Sequence, residues 1–161
     1  MLDFAKVVSS DLKELEPKSR KLIPNGTYEA VLANVEFPKY RTATSEGIRF
    51  SYRIVSGEFT DELIIEDVIY KSEKGELAFN YARIKARLMA FGLTSDQINK
   101  FKWPKDNKGF GDFKNVLEAE VSVTVKVTEG TGILAGKQLS KPQFVAPRGT
   151  EPKEWLNTAT K

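Results

Sequence analysis

Cysteine and histidine are both absent from the 161 residues of this sequence. Without these side chains the chain cannot form a Ser-His-Asp or Cys-His catalytic arrangement, a His- or Cys-ligated zinc site, an iron–sulfur cluster or a disulfide. Histidine is also the commonest general base of enzymes. We therefore predict that the protein is not an enzyme and that it holds no metal or other cofactor.

Long apolar runs are also missing, because no run exceeds four residues. A membrane-spanning helix needs about 20 apolar residues, and no signal-peptide core follows the early acid Asp3. We expect a cytoplasmic protein with no membrane partner. Hydrophobic residues make up 40% of the chain and charged residues 29%, which is typical of a globular domain. The net charge of +3 permits a polyanionic partner without indicating one.

Turn signals divide the chain into three parts. Residues 1–23 form an N-terminal arm with helically spaced apolar residues and a short basic run. The strong turn signal Pro24-Asn25-Gly26 opens a folded domain over residues 24–147. Residues 148–161 form a C-terminal tail, with Pro147, Gly149 and Pro152 around its start, and Trp155 is the side chain that could dock this tail on the domain.

Alternation of apolar and polar residues predicts β-strands in the folded domain. The predicted strands are residues 27–37, 47–55, 62–70, 117–128 and 133–145. In the second strand, Phe50 and Tyr52 point to the core, and Arg49 and Arg53 point to the opposite face. The apolar run at 63–65 leaves open whether the third strand has a bulge or is buried on both sides.

A helix is predicted between the third and fourth strands. Its apolar stripe over residues 77–91 consists of Leu77, Tyr81, Ile84, Leu88 and Phe91. Arg83 and Arg87 interrupt this stripe as polar residues. Thr94 is then the predicted N-cap of a short helix that ends near residue 100.

Three strands, a helix and two strands follow one another in the order found in oligonucleotide/oligosaccharide-binding (OB) barrels. We predict a mainly-β fold: a five-stranded OB-type Greek-key barrel with a helix between strands 3 and 4 and a flexible N-terminal arm. Such barrels bind their ligands on the face of strands 2 and 3 and with the loops that join strands 1 to 2 and 4 to 5.

Short motifs over about residues 23–95 resemble a family of small bacteriophage early proteins. The opening P-x-G-x-Y-x-(A/V) is similar to residues 23–30, the segment G…F…I-x-x-G-x-(F/Y) to residues 47–59, and the helix end to Ala90-Phe91-Gly92. The resemblance implies an OB-type fold and single-stranded DNA binding in phage replication or recombination, with phage or host replication and recombination proteins as partners. Many single-stranded DNA-binding proteins recruit such partners through an acidic tail, but residues 153–161 are not acidic.

Basic and aromatic residues concentrate in two stretches. Residues 37–53 hold four cations and one acid, and residues 100–114 hold five cations and two acids. Cations hold phosphates and aromatic rings stack on bases, which is the chemistry that single strands require. The predicted nucleic-acid-binding residues are Lys39, Tyr40, Arg41, Arg49, Arg53, Lys100, Lys102, Trp103, Lys105, Lys108, Phe110 and Lys137.

Plainer explanations stay open for the same residues. The first stretch could be an ordinary solvated strand face with its loop, and Trp103 could cap the open end of the barrel. For Phe101 and Phe113 a core position is favoured. Lys137 lies in a Gly-rich hairpin that could close over a bound strand, although turn chemistry alone explains the glycines.

Two other functions stay open. The barrel could bind a protein, as a phage structural or adaptor component, because a fold does not determine a function. A carboxylate–metal nuclease could use Glu58, Asp61, Glu62, Glu66 and Asp67, but adjacent strand residues such as Glu66 and Asp67 face opposite ways.

Pro142, which marks an edge or interrupted strand, and the N-terminal arm offer two routes to a homodimer. The sequence leaves DNA or RNA preference, strand polarity and site size open.

Overall fold

The computed structural model of the chain describes residues 22–38, 45–72, 75–104, 110–129 and 136–159. Five of the predicted nucleic-acid-binding residues lie outside these ranges, namely Lys39, Tyr40, Arg41, Lys105 and Lys108. Residues 1–21, which make up most of the predicted N-terminal arm, also lie outside them.

In the described part of the chain, six antiparallel strands form one sheet, which curls into a half-barrel in the order β4-β3-β2-β1-β5-β6. The strands are β1 Gly26–Glu36, β2 Glu46–Ile54, β3 Leu63–Ser72, β4 Gly75–Glu76, β5 Glu120–Glu129 and β6 Gln138–Pro147. The mainly-β prediction is confirmed, but the predicted count of five strands is wrong. The additional strand, β4, pairs with the end of β3 and has only two residues, which is too short to show an alternating pattern.

Three α-helices and one 3-10 helix connect or follow the described strands. They are α1 Ala78–Ala90, α2 Ser95–Asn99, the 3-10 helix Gly111–Asn115 and α3 Pro152–Ala159. The helix predicted between strands is confirmed as α1. Thr94 caps α2 as predicted, since its hydroxyl accepts from Gln97 N and the Gln97 side chain accepts from Thr94 N. No described helix is long and apolar enough to cross a membrane.

The core fills the inward face of the curled sheet. The predicted inward residues Phe50 and Tyr52 are fully buried, together with Phe113 of the 3-10 helix. The Phe50 ring lies 5.5 Å from Phe91 and 6.4 Å from Phe113, in edge-on arrangements. Aromatic pairs in this geometry are favourable beyond their burial. Phe113 therefore occupies the predicted core position.

The orientation of β3 is resolved by its burial pattern. Ile64, Glu66, Val68 and Tyr70 are buried and face inward, while the intervening residues are half-buried or exposed. The register with β2 shifts near Tyr70, which gives β3 a bulge. An acidic side chain, Glu66, therefore points into the core.

Glu66 is paired with two arginines from α1. Arg87 Nη2 and Arg83 Nη2 each lie 2.8 Å from Glu66 Oε2, and Tyr52 OH donates to Glu66 Oε1 at 2.8 Å. Arg87 is buried, although the sequence marks it only as a polar interruption of the apolar stripe. Arg83 also donates to the carbonyl oxygen of Pro142 at 3.1 Å. Helix α1 thus connects β3 to β6, the two strands on either side of the opening in the half-barrel.

Both ends of the described chain pack on the sheet. Ile23, which the prediction assigned to the arm, is fully buried, and its N–H donates to Ser140 Oγ at 2.6 Å. Asn25 Oδ1 accepts from Val127 N at 2.7 Å. At the other end, α3 contacts β6, and the half-buried Trp155 packs against the core as the sequence suggested.

Candidate nucleic-acid interface

Arg49 and Arg53 lie on the outward face of β2, as the alternation predicts, and both are paired with acids. Arg49 pairs with Asp67 directly across on β3, through Nε–Oδ1 at 2.8 Å and Nη2–Oδ2 at 3.3 Å. Arg53 lies 3.7 Å from Asp61 Oδ1 and 3.5 Å from Glu118 Oε2. The outward face of β2 and β3 therefore carries ion pairs rather than an excess of positive charge.

Arg53 is held more loosely than Arg49. Its side chain is 39% exposed, against 26% for Arg49, and its two ion pairs are longer. The acids that pair with Arg53 both lie in turns with left-handed backbone, where φ is 74° at Asp61 and 67° at Glu118. Exposed ion pairs of this kind contribute little stability. Of the two β2 arginines, Arg53 is the one that can more readily exchange a carboxylate for a phosphate.

Arg148 repeats the pattern next to β1 and β5. Its Nη1 lies 3.0 Å from Glu120 Oε1 and its Nη2 lies 3.2 Å from Glu29 Oε2. Every arginine in the described part of the chain thus lies within 4 Å of a carboxylate. Cations open to an anionic ligand have to be sought among the lysines.

Lys102, Trp103 and Phe110 are brought together at the stem of a loop. The stem consists of residues 102–104 and 110–112 and is closed by two hydrogen bonds between Lys102 and Asp112. Lys102 N donates to Asp112 Oδ2 at 2.8 Å, and Asp112 N donates to Lys102 O at 2.9 Å. Lys105 and Lys108 lie between the two sides of this stem in the sequence, and both are outside the described residues.

Gly111 allows the two sides of the stem to approach each other. Its φ is +55°, and a Cβ placed on it would lie 2.6 Å from Pro104 N and 2.8 Å from Lys102 O. Real Cβ atoms do not approach backbone atoms so closely. Glycine is required here by the contact as well as by the backbone conformation.

The Trp103 indole lies over an aromatic cluster and stays partly open to solvent. Its ring is 5.8 Å from Phe37, 5.4 Å from Tyr70 and 5.2 Å from Phe113. Trp103 is nevertheless 38% exposed, and Phe110 is 39% exposed. We call the exposed side chains of Lys102, Trp103 and Phe110 the Trp103 surface. It lies at the end of the sheet where β1 finishes and the loop with Lys39, Tyr40 and Arg41 begins.

Tyr70 packs against the Trp103 ring as a neutral phenol. Its burial, and secondarily the nearby charge of Glu46 and the neighbouring Tyr81, raise its pKa from 10.0 to about 12. The Tyr70 ring also lies 5.2 Å from that of Tyr81. The cluster beneath Trp103 thus remains uncharged at physiological pH.

The remaining predicted residues are spread over the molecule. Lys100 is exposed and lies 3.5 Å from Asp96 of the same turn of helix. Phe101 is half-buried against Phe113, with ring centroids 4.7 Å apart, in line with its favoured core position. Lys137 is exposed at the start of β6, at the end of the sheet opposite the Trp103 surface. Of the predicted residues, the structure therefore brings only those of the Trp103 surface together. Lys137 and Arg53 lie apart from this surface.

The acidic residues considered for a metal do not converge. In the described ranges no group of three or more acidic side chains is placed to hold a metal ion. Glu66 is occupied by Arg83 and Arg87, which outweigh the effect of burial and hold its pKa below the ordinary value of 4.5. Asp67 faces the opposite side, as predicted, and pairs with Arg49.

No protein-family model matches the chain, and no curated protein shows a significant sequence match. The resemblance to phage early proteins therefore stays a prediction. The function has to be argued from the residues of the site.

Proposed function

We propose that this chain is a sequence-tolerant single-stranded DNA-binding protein with an OB-type barrel, which acts without catalysis in phage DNA replication or recombination in the host cytoplasm. Its contacts are base stacking on the Trp103 surface and attraction between lysines and phosphates. The observation that carries the proposal is the partly exposed Trp103 indole beside the exposed Lys102 on a fixed stem.

Strand connectivity supports the OB-type assignment. Apart from the two-residue β4, the strands are ordered β3-β2-β1-β5-β6, so β1 pairs with both β2 and β5. Helix α1 lies between β3 and β5 in the chain, where the OB barrel has its helix. Arg83 links β3 to β6 across the opening of the half-barrel. These features favour an OB-type barrel in which α1 joins the two outer strands.

Stacking chemistry explains why binding would tolerate any sequence. Every base has a π-face, and a base stacked on an aromatic side chain contributes roughly 1–3 kcal/mol. The rings of Phe37, Tyr70 and Phe113 surround part of the indole and restrict its motion, so little entropy is lost when a base stacks on the open part. Lys102, the exposed neighbour of Trp103 in the sequence, supplies a cation for an adjacent phosphate.

Trp103→Ala should weaken binding of poly-dT by roughly 5- to 150-fold, because one stacked base is lost. Fluorescence titration at low and high salt measures the affinity, and the sequence offers a matched control in its second tryptophan, Trp155. Trp155→Phe should keep the quenching of tryptophan emission by DNA, whereas Trp103→Phe should lose it.

Absence of poly-dT binding by the unsubstituted chain at low salt would contradict the proposal. Quenching that persists in Trp103→Phe would show that Trp103 does not contact the bases. If the protein binds no nucleic acid, the predicted role as a structural or adaptor protein becomes the one to test.

A further inference from the structure

Two exposed lysines lie directly opposite each other on the outward face of the β5–β6 hairpin. Lys126 of β5 pairs with Lys141 of β6 in the antiparallel register, and both side chains are exposed. Side chains directly opposite in such a pair have Cβ atoms about 4.5–5.5 Å apart, and like charges at this position are destabilising. The arrangement is unfavourable for the isolated protein.

The described residues around this pair do not neutralise it. Neither lysine has a carboxylate within ion-pair distance in the described part of the chain, in contrast to every described arginine. The outward neighbours toward β1 are Thr27 and Thr124, whose hydroxyls are hydrogen-bonded at 3.0 Å. Glu129 of β5 is an odd number of residues from Lys126 and therefore belongs to the other face of the strand. The pair thus combines two cations with neutral hydroxyl neighbours.

Lys137 adds a third cation to the same hairpin. It is exposed and precedes β6, whose first residue, Gln138, pairs with Glu129. No exposed large hydrophobic side chain of the described residues belongs to this hairpin. The described residues of the hairpin therefore carry three exposed cations and no exposed aromatic ring, since Phe144 of β6 is half-buried, and this suits the binding of phosphates.

We propose that Lys126 and Lys141, together with Lys137, bind the phosphodiester backbone of the single strand. This inference deepens the proposed function and rests on it. The lysine pair supplies affinity that depends on salt and is the same for every sequence, whereas the Trp103 surface supplies stacking. The two sites lie at opposite ends of the sheet, so their contributions can be separated by substitution.

Lys126→Glu tests the pair through two effects of opposite sign. It places an acid opposite Lys141, so the free protein should become more stable and its Tm should rise. The same substitution should weaken poly-dT binding, because one phosphate contact is lost and a negative charge is added. Lys85→Glu is the matched control, since Lys85 is exposed on α1 and gives the same change in net charge.

The double substitution Lys126→Gln with Lys141→Gln tests the phosphate contacts by their salt dependence. For single strands the slope of log affinity against log salt is about −0.7 for each phosphate contacted. The double variant should therefore reduce the slope by about 1.4 and leave the quenching of Trp103 at saturation unchanged.

Two results would overturn the inference while the proposed function stands. One is a loss of affinity in Lys126→Glu that is no greater than in Lys85→Glu, and the other is an unchanged salt slope in the double glutamine variant. If the unsubstituted chain binds no single-stranded DNA at low salt, the proposed function itself fails.

Discussion

Gly111 is the residue on which the placement of Trp103 depends most directly. A methyl group at this position would overlap backbone atoms of Pro104 and Lys102, which lie 2.6 and 2.8 Å from its Cβ. We expect Gly111→Ala to displace the stem, to shift the emission maximum of Trp103 and to weaken poly-dT binding to an extent similar to Trp103→Ala. Fluorescence spectra of the free protein and DNA titrations measure both effects.

Gly92→Ala is the control for the backbone conformation alone. Gly92 also has a positive φ, +103°, but nothing lies within 4 Å of its Cβ position. It should lose roughly 1–2 kcal/mol of stability from the left-handed conformation and keep normal emission and DNA binding. Equal effects of the two substitutions on DNA binding would show that the contact with the stem is unimportant.

Tyr70 should make the fold sensitive to alkaline pH. Because burial raises its pKa from 10.0 to about 12, its contribution to stability is complete below pH 10 and is lost as the pH rises through about 12. Absorbance of tyrosinate should show a titration near pH 12 whose amplitude falls by one tyrosine in Tyr70→Phe. Denaturant midpoints should fall less steeply above pH 10 in Tyr70→Phe than in the unsubstituted protein, and equal slopes would contradict the assignment.

At the residue scale, the sequence predicted correctly which face of a strand a side chain occupies. It did not predict which residues would form ion pairs. The period of two placed Arg49 and Arg53 on the outward face of β2, and the structure confirms this. The acids that pair with Arg53 come from separate turns, at Asp61 and Glu118, and only the fold brings them near. The expectation of a basic β2 face was based on the arginines of the strand and left out the acids that the fold places beside them.

Helix α1 and strand β3 are joined by a buried ion pair, and its acidic partner should set the acid stability of the protein. Burial alone would raise the pKa of Glu66, but Arg87 and Arg83 lower it below the ordinary value of 4.5. The ionised carboxylate therefore stabilises the fold above about pH 4.5, and this contribution is lost as the pH falls through the folded-state pKa.

Glu66→Gln should lower the free energy of unfolding at pH 7 by roughly 3–5 kcal/mol, because it leaves Arg87 buried without a charged partner. Urea unfolding at pH 7 and at pH 4 measures the loss and its reduced dependence on acid. Asp67→Asn is the matched control on the neighbouring residue, where the partly exposed pair with Arg49 should contribute only about 0–1 kcal/mol. Similar losses in both variants would contradict the role of burial.

Elements with a strong period were predictable and short or unusual ones were not. The stripe of α1 and the alternation of β2 and β5 correspond to observed elements within a few residues. Burial of Arg87 could not be foreseen, because an arginine is buried only when a partner such as Glu66 comes from another element. Strand β4 has two residues, and α3 lies in a segment that Pro147, Gly149 and Pro152 predicted only as a C-terminal tail.

Over the whole molecule, the small positive charge is unevenly distributed. The described arginines are paired with acids. The uncompensated positive charge of the chain, whose net charge is +3, therefore lies on lysines and on residues outside the described ranges. Lys102 stands beside an exposed ring at one end of the sheet, and Lys126, Lys137 and Lys141 belong to the hairpin at the other. A single strand that uses both would be held by stacking at one end and by its phosphates at the other.

The sequence by itself determined the mainly-β class, the chief helix and the absence of histidine and cysteine chemistry, because these follow from composition and from local periods of 2 and 3.6 residues. Tertiary structure alone decided which charges are compensated. Pairing of Arg49 with Asp67, burial of Arg87 against Glu66 and the opposition of Lys126 and Lys141 each join residues 15 to 21 positions apart in the sequence. Electrostatic partners are set by distance in space, and that distance is fixed only when the sheet has taken its register.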